Sequence, residues 1–208
     1  MNLRRQLLTV LALTPFFSGA TRAQSSALKP TPQDALGPFY PPEWRGEIDN
    51  DLLSFGGKQF VKGTPLALSG RVLAADGRPI TDATVEIWQT DDTGKYRHPD
   101  DDGEGPAQRG FQGFGRARAD ADGHYSFRTI KPVLYSGRSP HVHFKVVAPD
   151  YRPLVTQLYF LGENSEHGFG FGFVFSKERE LLTVSPTAQR DGEREGLAAR
   201  FDLVLAPV

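Results

Sequence analysis

The 208-residue sequence has no cysteine, which excludes a disulfide framework and any thiolate metal site. A metal bound here has to take its donors from His, Tyr, Asp or Glu. No run of basic residues occurs, and 24 lysines and arginines against 25 acids give a formal net charge of −1. Nothing in that balance suits a nucleic-acid backbone. Past the amino terminus there is no second apolar segment to argue for membrane binding, and no internal repeat.

The one long apolar run is "LLTVLALTPFF", preceded by "MNLRRQ" and followed by "SGATRA". It is too short, and broken by Pro15, to read as a membrane span. A basic start, an apolar middle and small residues at the end predict an export signal over residues 1–23, cleaved after Ala23. The adjacent Arg4 and Arg5 fit either a twin-arginine leader, which exports folded proteins, or an ordinary signal. The expected location is periplasmic or secreted. Those 23 residues hold Arg4, Arg5 and Arg22 and no acid, so the remainder has 21 basic and 25 acidic side chains, net −4.

What is abundant points to turns and strands: 22 Gly, 16 Pro, 15 Phe and 6 Tyr. Residues 24–36 are polar and proline-bearing and are expected as a flexible lead-in. "GPFYPPEW", residues 37–44, cannot be regular helix and is too apolar for a free tail. It is expected to lie across the domain as an ordered arm. From residue 65 onward the expectation is all-β. "LALSGRVLAA", "ATVEIWQT", "HVHFKVVA", "LVTQLYF", "GFVF" and "ARFDLVLA" read as strands. In the second, Val85, Ile87 and Gln89 share one face and Glu86 and Trp88 the other. "RARADADGHYSFRTI" reads as a hairpin around "DADG". "SKEREL" and "PTAQRDGERE" are expected to hold short helical turns. Residues 99–115 form a long glycine-bearing loop of the kind that carries function or mobility. Strands at this spacing predict a single all-β sandwich domain with long functional loops and an N-terminal arm, over residues 37–208.

The chemically unusual stretch is "YSGRSPHVHF", residues 135–144. In a strand His141 and His143 project to the same side. Two such imidazoles either meet water or share a metal through neutral nitrogens. Tyr135 precedes them by six residues, and Tyr96 follows the "DDTG" turn after the strand holding Trp88. Both tyrosines are equally readable as packing residues with a wet hydroxyl. His98, His124 and His167 are expected to be solvated. The acids of "HPDDDGEG" have the wrong spacing for a calcium loop. Trp88 is expected to pack near the histidines and Tyr40 to line a pocket mouth.

In order along residues 37–206, the segments "GPFYPP", "ATVEIWQTDDTGKYRH", "FQGFGRARADADGHYSFRTIKP", "GRSPHVHF", "TQLYF" and "ARFDLVLA" resemble the intradiol ring-cleavage dioxygenases of the protocatechuate 3,4-dioxygenase type. The resemblance implies a non-haem Fe(III) held by Tyr96, Tyr135, His141 and His143. It also implies Arg138 as a residue that stabilises charge on the substrate ring, Gln157 as a pocket residue, and Tyr135 as the ligand that detaches and takes a proton. Two phenolates and one hydroxide neutralise a trivalent ion, and two neutral imidazoles leave that sum unchanged, which suits a low-dielectric pocket. The implied reaction opens a catechol ring between its hydroxyls with O2 to give a cis,cis-muconate-type product.

Two departures stand out. Only "SGRSP" separates Tyr135 from His141, where better-known members carry a longer loop that shapes the substrate pocket. The helical dimerisation domain of catechol 1,2-dioxygenases has no counterpart, which favours the protocatechuate-type branch or its smaller relatives. Partners are expected to be a catechol-type substrate and O2, with a homo-oligomer or a monomer equally feasible. The competing expectation is a non-catalytic transthyretin-like or carboxypeptidase-regulatory-like module, whose pattern "LSGRVLAADGRPITDATVEIW" also fits.

Overall fold

A computed structural model describes residues 27–44, 47–60, 62–103, 105–163 and 176–208. The export signal expected over residues 1–23, the strand expected at "GFVF" and His167 lie outside these residues.

In chain order the elements are β1 (Ser54–Phe55), β2 (Lys58–Gln59), β3 (Pro65–Ala74), β4 (Thr84–Trp88), β5 (Phe114–Arg118), β6 (His124–Ile130), β7 (His141–Val147) and β8 (Leu154–Phe160). A helical turn α1 (Ser176–Arg179) and a 3-10 turn over Glu180–Leu182 follow, then β9 (Thr183–Val184), β10 (Thr187–Asp191), β11 (Arg194–Arg200) and β12 (Leu203–Leu205). Two five-stranded sheets result. One runs β10-β11-β3-β12 with β6 on the other side of β3, and the other runs β5-β4-β7-β8-β9.

Alternation of side chains explains the layering. Val85, Ile87, Val142, Phe144, Val146, Leu154 and Leu158 of the second sheet join Leu66, Leu68, Val72, Tyr125 and Phe127 of the first in one buried core. This is the sandwich the sequence predicts, and Val85 and Ile87 lie on the face assigned to them. The other face of the second sheet carries Trp88, His141, His143, Gln157 and Tyr159. The register pairs Trp88 with His143, His143 with Gln157, and His141 with Tyr159, which sets all five side by side.

β11 and β12 both run parallel to β3, one after the other, separated by a break at Phe201. The break brings the Phe201 carbonyl so close to Gly70 that a Cβ there would lie 1.9 Å from its oxygen. Tyr125 donates its hydroxyl proton to the same carbonyl at 2.5 Å.

Three expectations need correction. "PTAQRDGERE" is no helix: β10 and β11 form an antiparallel hairpin. Its two-residue turn starts at Gly192 with φ 61°, the glycine-first geometry that fits strand twist. "RARADADGHYSFRTI" does turn at Asp120–Gly123, but β5 pairs with β4 and β6 with β3, so the turn is a corner between the two sheets. Residues 27–36, expected as a flexible lead-in, are instead tied along the sandwich. Leu28 N bonds Ala75 O at 2.7 Å, Thr31 N bonds Val204 O at 2.9 Å and Asp34 N bonds Val155 O at 2.9 Å.

The arm at residues 37–44 lies over the outer face of the second sheet. Phe39 packs on Tyr96 with ring centroids 4.8 Å apart, Tyr40 meets Trp88 edge-on at 5.0 Å, and Trp44 meets Phe114 at 5.2 Å. It thereby buries a sheet face that would otherwise meet water.

Candidate metal centre

Each donor is placed by local structure. β7 presents His141 and His143 from the same face. Tyr96 comes from the turn after β4, where Asp91 Oδ1 accepts the backbone N–H groups of Thr93 (2.8 Å) and Lys95 (3.1 Å). The long loop that follows is bound in place as well. Asp101 Oδ2 accepts the N–H of Tyr96 at 2.6 Å, and Arg97 donates to the carbonyls of Gln108 (2.8 Å) and Phe111 (2.6 Å). Asp101 therefore shapes the loop under Tyr96, and Lys95 bonds its carbonyl.

The three donor atoms converge. Tyr96 Oη is 3.2 Å from His141 Nε2 and 3.1 Å from His143 Nε2, and the two Nε2 atoms are 3.1 Å apart. All three side chains are buried. His141 Nδ1 lies 2.7 Å from the Ser139 carbonyl, which only accepts, so Nδ1 carries the proton and Nε2 turns a lone pair to the centre. His143 Nδ1 makes no regular hydrogen bond, and the Ala35 backbone gives it only weak support. Trp88 stacks flat on the His143 ring at 4.8 Å and 6°.

Electrostatics favour neutral imidazoles. Burial first, then the neighbouring Arg138, pushes His141 down to about 4. Burial, then His141 and Arg138, holds His143 well below its ordinary value. Burial pushes the Tyr96 phenol up, with Arg138 opposing. That phenol ionises only when a cation arrives to offset the charge.

The cluster fits a metal ion on its own geometry. With His141 Nδ1 protonated, at most two protons remain for three contacts of 3.1–3.2 Å, so at least one pair faces without a proton between. Metal bonds of about 2.0–2.2 Å at right angles to one another put donor atoms about 3 Å apart. One cation satisfies all three at once. Among the described residues no three His, Cys, Asp or Glu side chains gather, because the third donor here is a phenol.

The remaining expected residues surround this triangle. Tyr135 meets the Tyr96 ring edge-on at 5.3 Å and Phe39 at 5.9 Å, but no hydrogen bond joins its hydroxyl to the three donors. It starts a tight turn: Arg138 N bonds Tyr135 O at 2.7 Å, with φ 44° at Ser136 and 76° at Gly137. This turn sets Tyr135 and Arg138 side by side. Arg138 Nη2 donates to Gln157 Oε1 at 2.8 Å. One bland expectation fails. His98 is not solvated, because its ring packs edge-on to Phe39 at 5.4 Å. The Tyr40 hydroxyl is held between Glu86 (2.8 Å) and Lys145 (3.0 Å). His124 is exposed, as expected.

Sequence reasoning missed Asp34, Tyr159 and Gly37. The first two are neighbours of Gln157, described below. Gly37 has φ 73°, and a Cβ there would come within 3.0 Å of His143 Cε1, so only glycine lets the arm cross this ring. The phrase "GPFY" carried that signal.

Residues 36–207 match a family model described as dioxygenase. The chain is 38% identical over 192 residues to the protocatechuate 3,4-dioxygenase beta chain of Burkholderia cepacia, covering 85% of this chain and 73% of that one. It is 31% identical over 200 residues to a hydroxyquinol 1,2-dioxygenase of Nocardioides simplex, covering 85% of this chain and 65% of that one. Among solved structures it is similar to the dioxygenase domain of a dioxygenase–carbohydrate-binding fusion from Streptomyces sp. SirexAA-E. That likeness has a TM-score of 0.63 and 29% identity over 86% of this chain and 100% of that one.

Proposed function

Since the chain belongs to the intradiol ring-cleavage dioxygenase family, we propose that it opens a catechol-type ring between its two hydroxyls with O2, using non-haem Fe(III). Tyr96, His141 and His143 would hold the metal, with Tyr135 as a fourth ligand. The observation that carries this reading is the triangle of Nε2, Nε2 and Oη atoms with 3.1–3.2 Å edges.

Bound Fe(III) supplies the electron withdrawal that opens a catecholate ring to O2. The chain's own residues do the rest. Two buried neutral imidazoles offer lone pairs and add no charge. Tyr96 gives up its proton at Oη when it binds. Tyr135 sits on a partly exposed turn, and as a metal-bound phenolate its Oη would be the group able to take a proton from an arriving catechol. Arg138, fixed by Gln157, supplies positive charge where negative charge builds on the ring. Phe39 and Trp88 keep water from the donors. Both atoms of O2 end in the dicarboxylate product.

A non-catalytic transthyretin-like module shares only the pattern over residues 68–88 and has no use for the donor triangle. On the same reading, residues 1–23 direct the enzyme out of the cytoplasm. The test is oxygen uptake by the iron-loaded protein with catechol, protocatechuate, hydroxyquinol and chlorocatechol, with products weighed after reaction in labelled O2. Ring-opened diacid carrying two labelled atoms is expected from at least one substrate. No uptake with any of them contradicts the proposal.

A further inference from the structure

A line of buried polar groups runs from the segment that precedes the N-terminal arm to Arg138. Asp34 belongs to that segment, residues 27–36, and is 9% exposed, while Gln157 is fully buried and Tyr159 is 7% exposed. Tyr159 Oη lies 2.8 Å from Asp34 Oδ2 and 3.0 Å from Gln157 Oε1. The other Asp34 oxygen accepts the N–H of Ala35 at 2.7 Å. Gln157 Nε2 donates to the Ala35 carbonyl at 2.7 Å, and its Oε1 receives Arg138 Nη2 at 2.8 Å.

The directions of these bonds are constrained. The Ala35 carbonyl only accepts and a guanidinium only donates, so the Gln157 amide has one orientation. Tyr159 has one proton, shared between two acceptors, Asp34 Oδ2 and Gln157 Oε1. Ala35 and Arg138 keep the amide from turning over, and Asp34 holds the phenol hydroxyl where it also donates to Gln157 Oε1. Arg179 lies over the Tyr159 ring, 4.2 Å from its centroid, and holds the ring from the other side. Arg138 has no carboxylate partner among the described residues, so Gln157 is its fixed contact.

We propose that Asp34 and Tyr159 are positioning residues that act through Gln157 to set the Arg138 guanidinium beside the metal donors. The segment 27–36 is then part of the active site. Its effect on turnover rests on the ring-cleavage reading above, whereas the positioning itself does not.

Two variants of the full chain test it. Tyr159→Phe keeps the ring under Arg179 and removes only the hydroxyl, and Asp34→Ala removes the anchor. Each is expected to lower kcat on the order of 10- to 100-fold, the scale of a displaced reacting group. KM should stay within about threefold, since no substrate contact is removed. The iron band should be unchanged. On an Arg138→Ala background, Tyr159→Phe should cost less than about threefold, because the residue it positions is gone. A readout without turnover is the nitrogen NMR of the Arg138 guanidinium in metal-free protein. Slow rotation is expected in the wild type and faster rotation in both variants. Unchanged Arg138 signals, fully additive losses, or a bleached iron band in Tyr159→Phe would each overturn the proposal. If the wild type cleaves no catechol, the NMR comparison still decides it.

Discussion

His141 Nε2 lies 3.1 Å from His143 Nε2, inside a pocket where neither ring reaches water. Two nitrogens so placed repel unless a proton or a cation stands between them. Burial and Arg138 disfavour a charged imidazolium at either ring, which makes the pair a site suited to a metal.

Acid should destabilise the metal-free protein. His141 is pushed down to about 4, against about 6.5 in an unfolded chain. Between those values the unfolded state binds a proton that the folded state refuses, so stability falls as pH falls. The gap corresponds to about 3 kcal/mol at pH 4, and His143 acts in the same direction. Urea midpoints of metal-free protein should be lower at pH 4.5 than at pH 7.5. The difference should shrink in His141→Gln, and an equal difference in that variant contradicts the assignment.

Gly37→Ala should weaken iron binding. Alanine at φ 73° costs about 1–2 kcal/mol of backbone strain. Its methyl also pushes on His143, 3.0 Å away. Iron titration should show a weaker site in a protein that still folds. Unaltered affinity would mean that the arm does not constrain the ring.

Trp88→Ala should cost about 3–5 kcal/mol, the usual range for emptying a buried aromatic site. Trp88 is 1% exposed and stacks on His143, so the cavity opens beside a donor. Trp88→Phe should recover most of the loss. Chemical denaturation measures both, and similar losses in the two variants would show that stacking contributes nothing.

Tyr135→Phe should separate chemistry from structure. The ring contacts with Tyr96 and Phe39 survive, so the melting temperature should barely move. Loss of the proton acceptor should lower kcat on the order of 100-fold. An active variant would remove Tyr135 from the mechanism.

Much of the architecture was legible because strand alternation is a local signal. Val85 and Ile87 declared one face, Trp88 the other, and the same rule put His141 and His143 together. The resemblance named Tyr96, which no periodicity could bring to the histidines, since 45 residues separate it from His141. What escaped was long-range. "RDGERE" has a strong turn signal in Asp-Gly, but its exposed strand lacks the apolar alternation that marks a buried one. The strands flanking "DADG" part because β5 pairs with β4 and β6 with β3, in different sheets. Asp34 looked like part of a polar tail. Its partner Tyr159 lies 125 residues away, and their bond is set only by how the segment 27–36 crosses β8.

The central claim is that Tyr96, His141 and His143 meet on one ferric ion. Iron titration of the purified chain, followed in the visible spectrum, tests it most directly. One iron per chain with a red-brown tyrosinate band is predicted, and Tyr96→Phe should bleach or shift that band. A colourless wild type that binds iron, or one that binds none, would contradict the account.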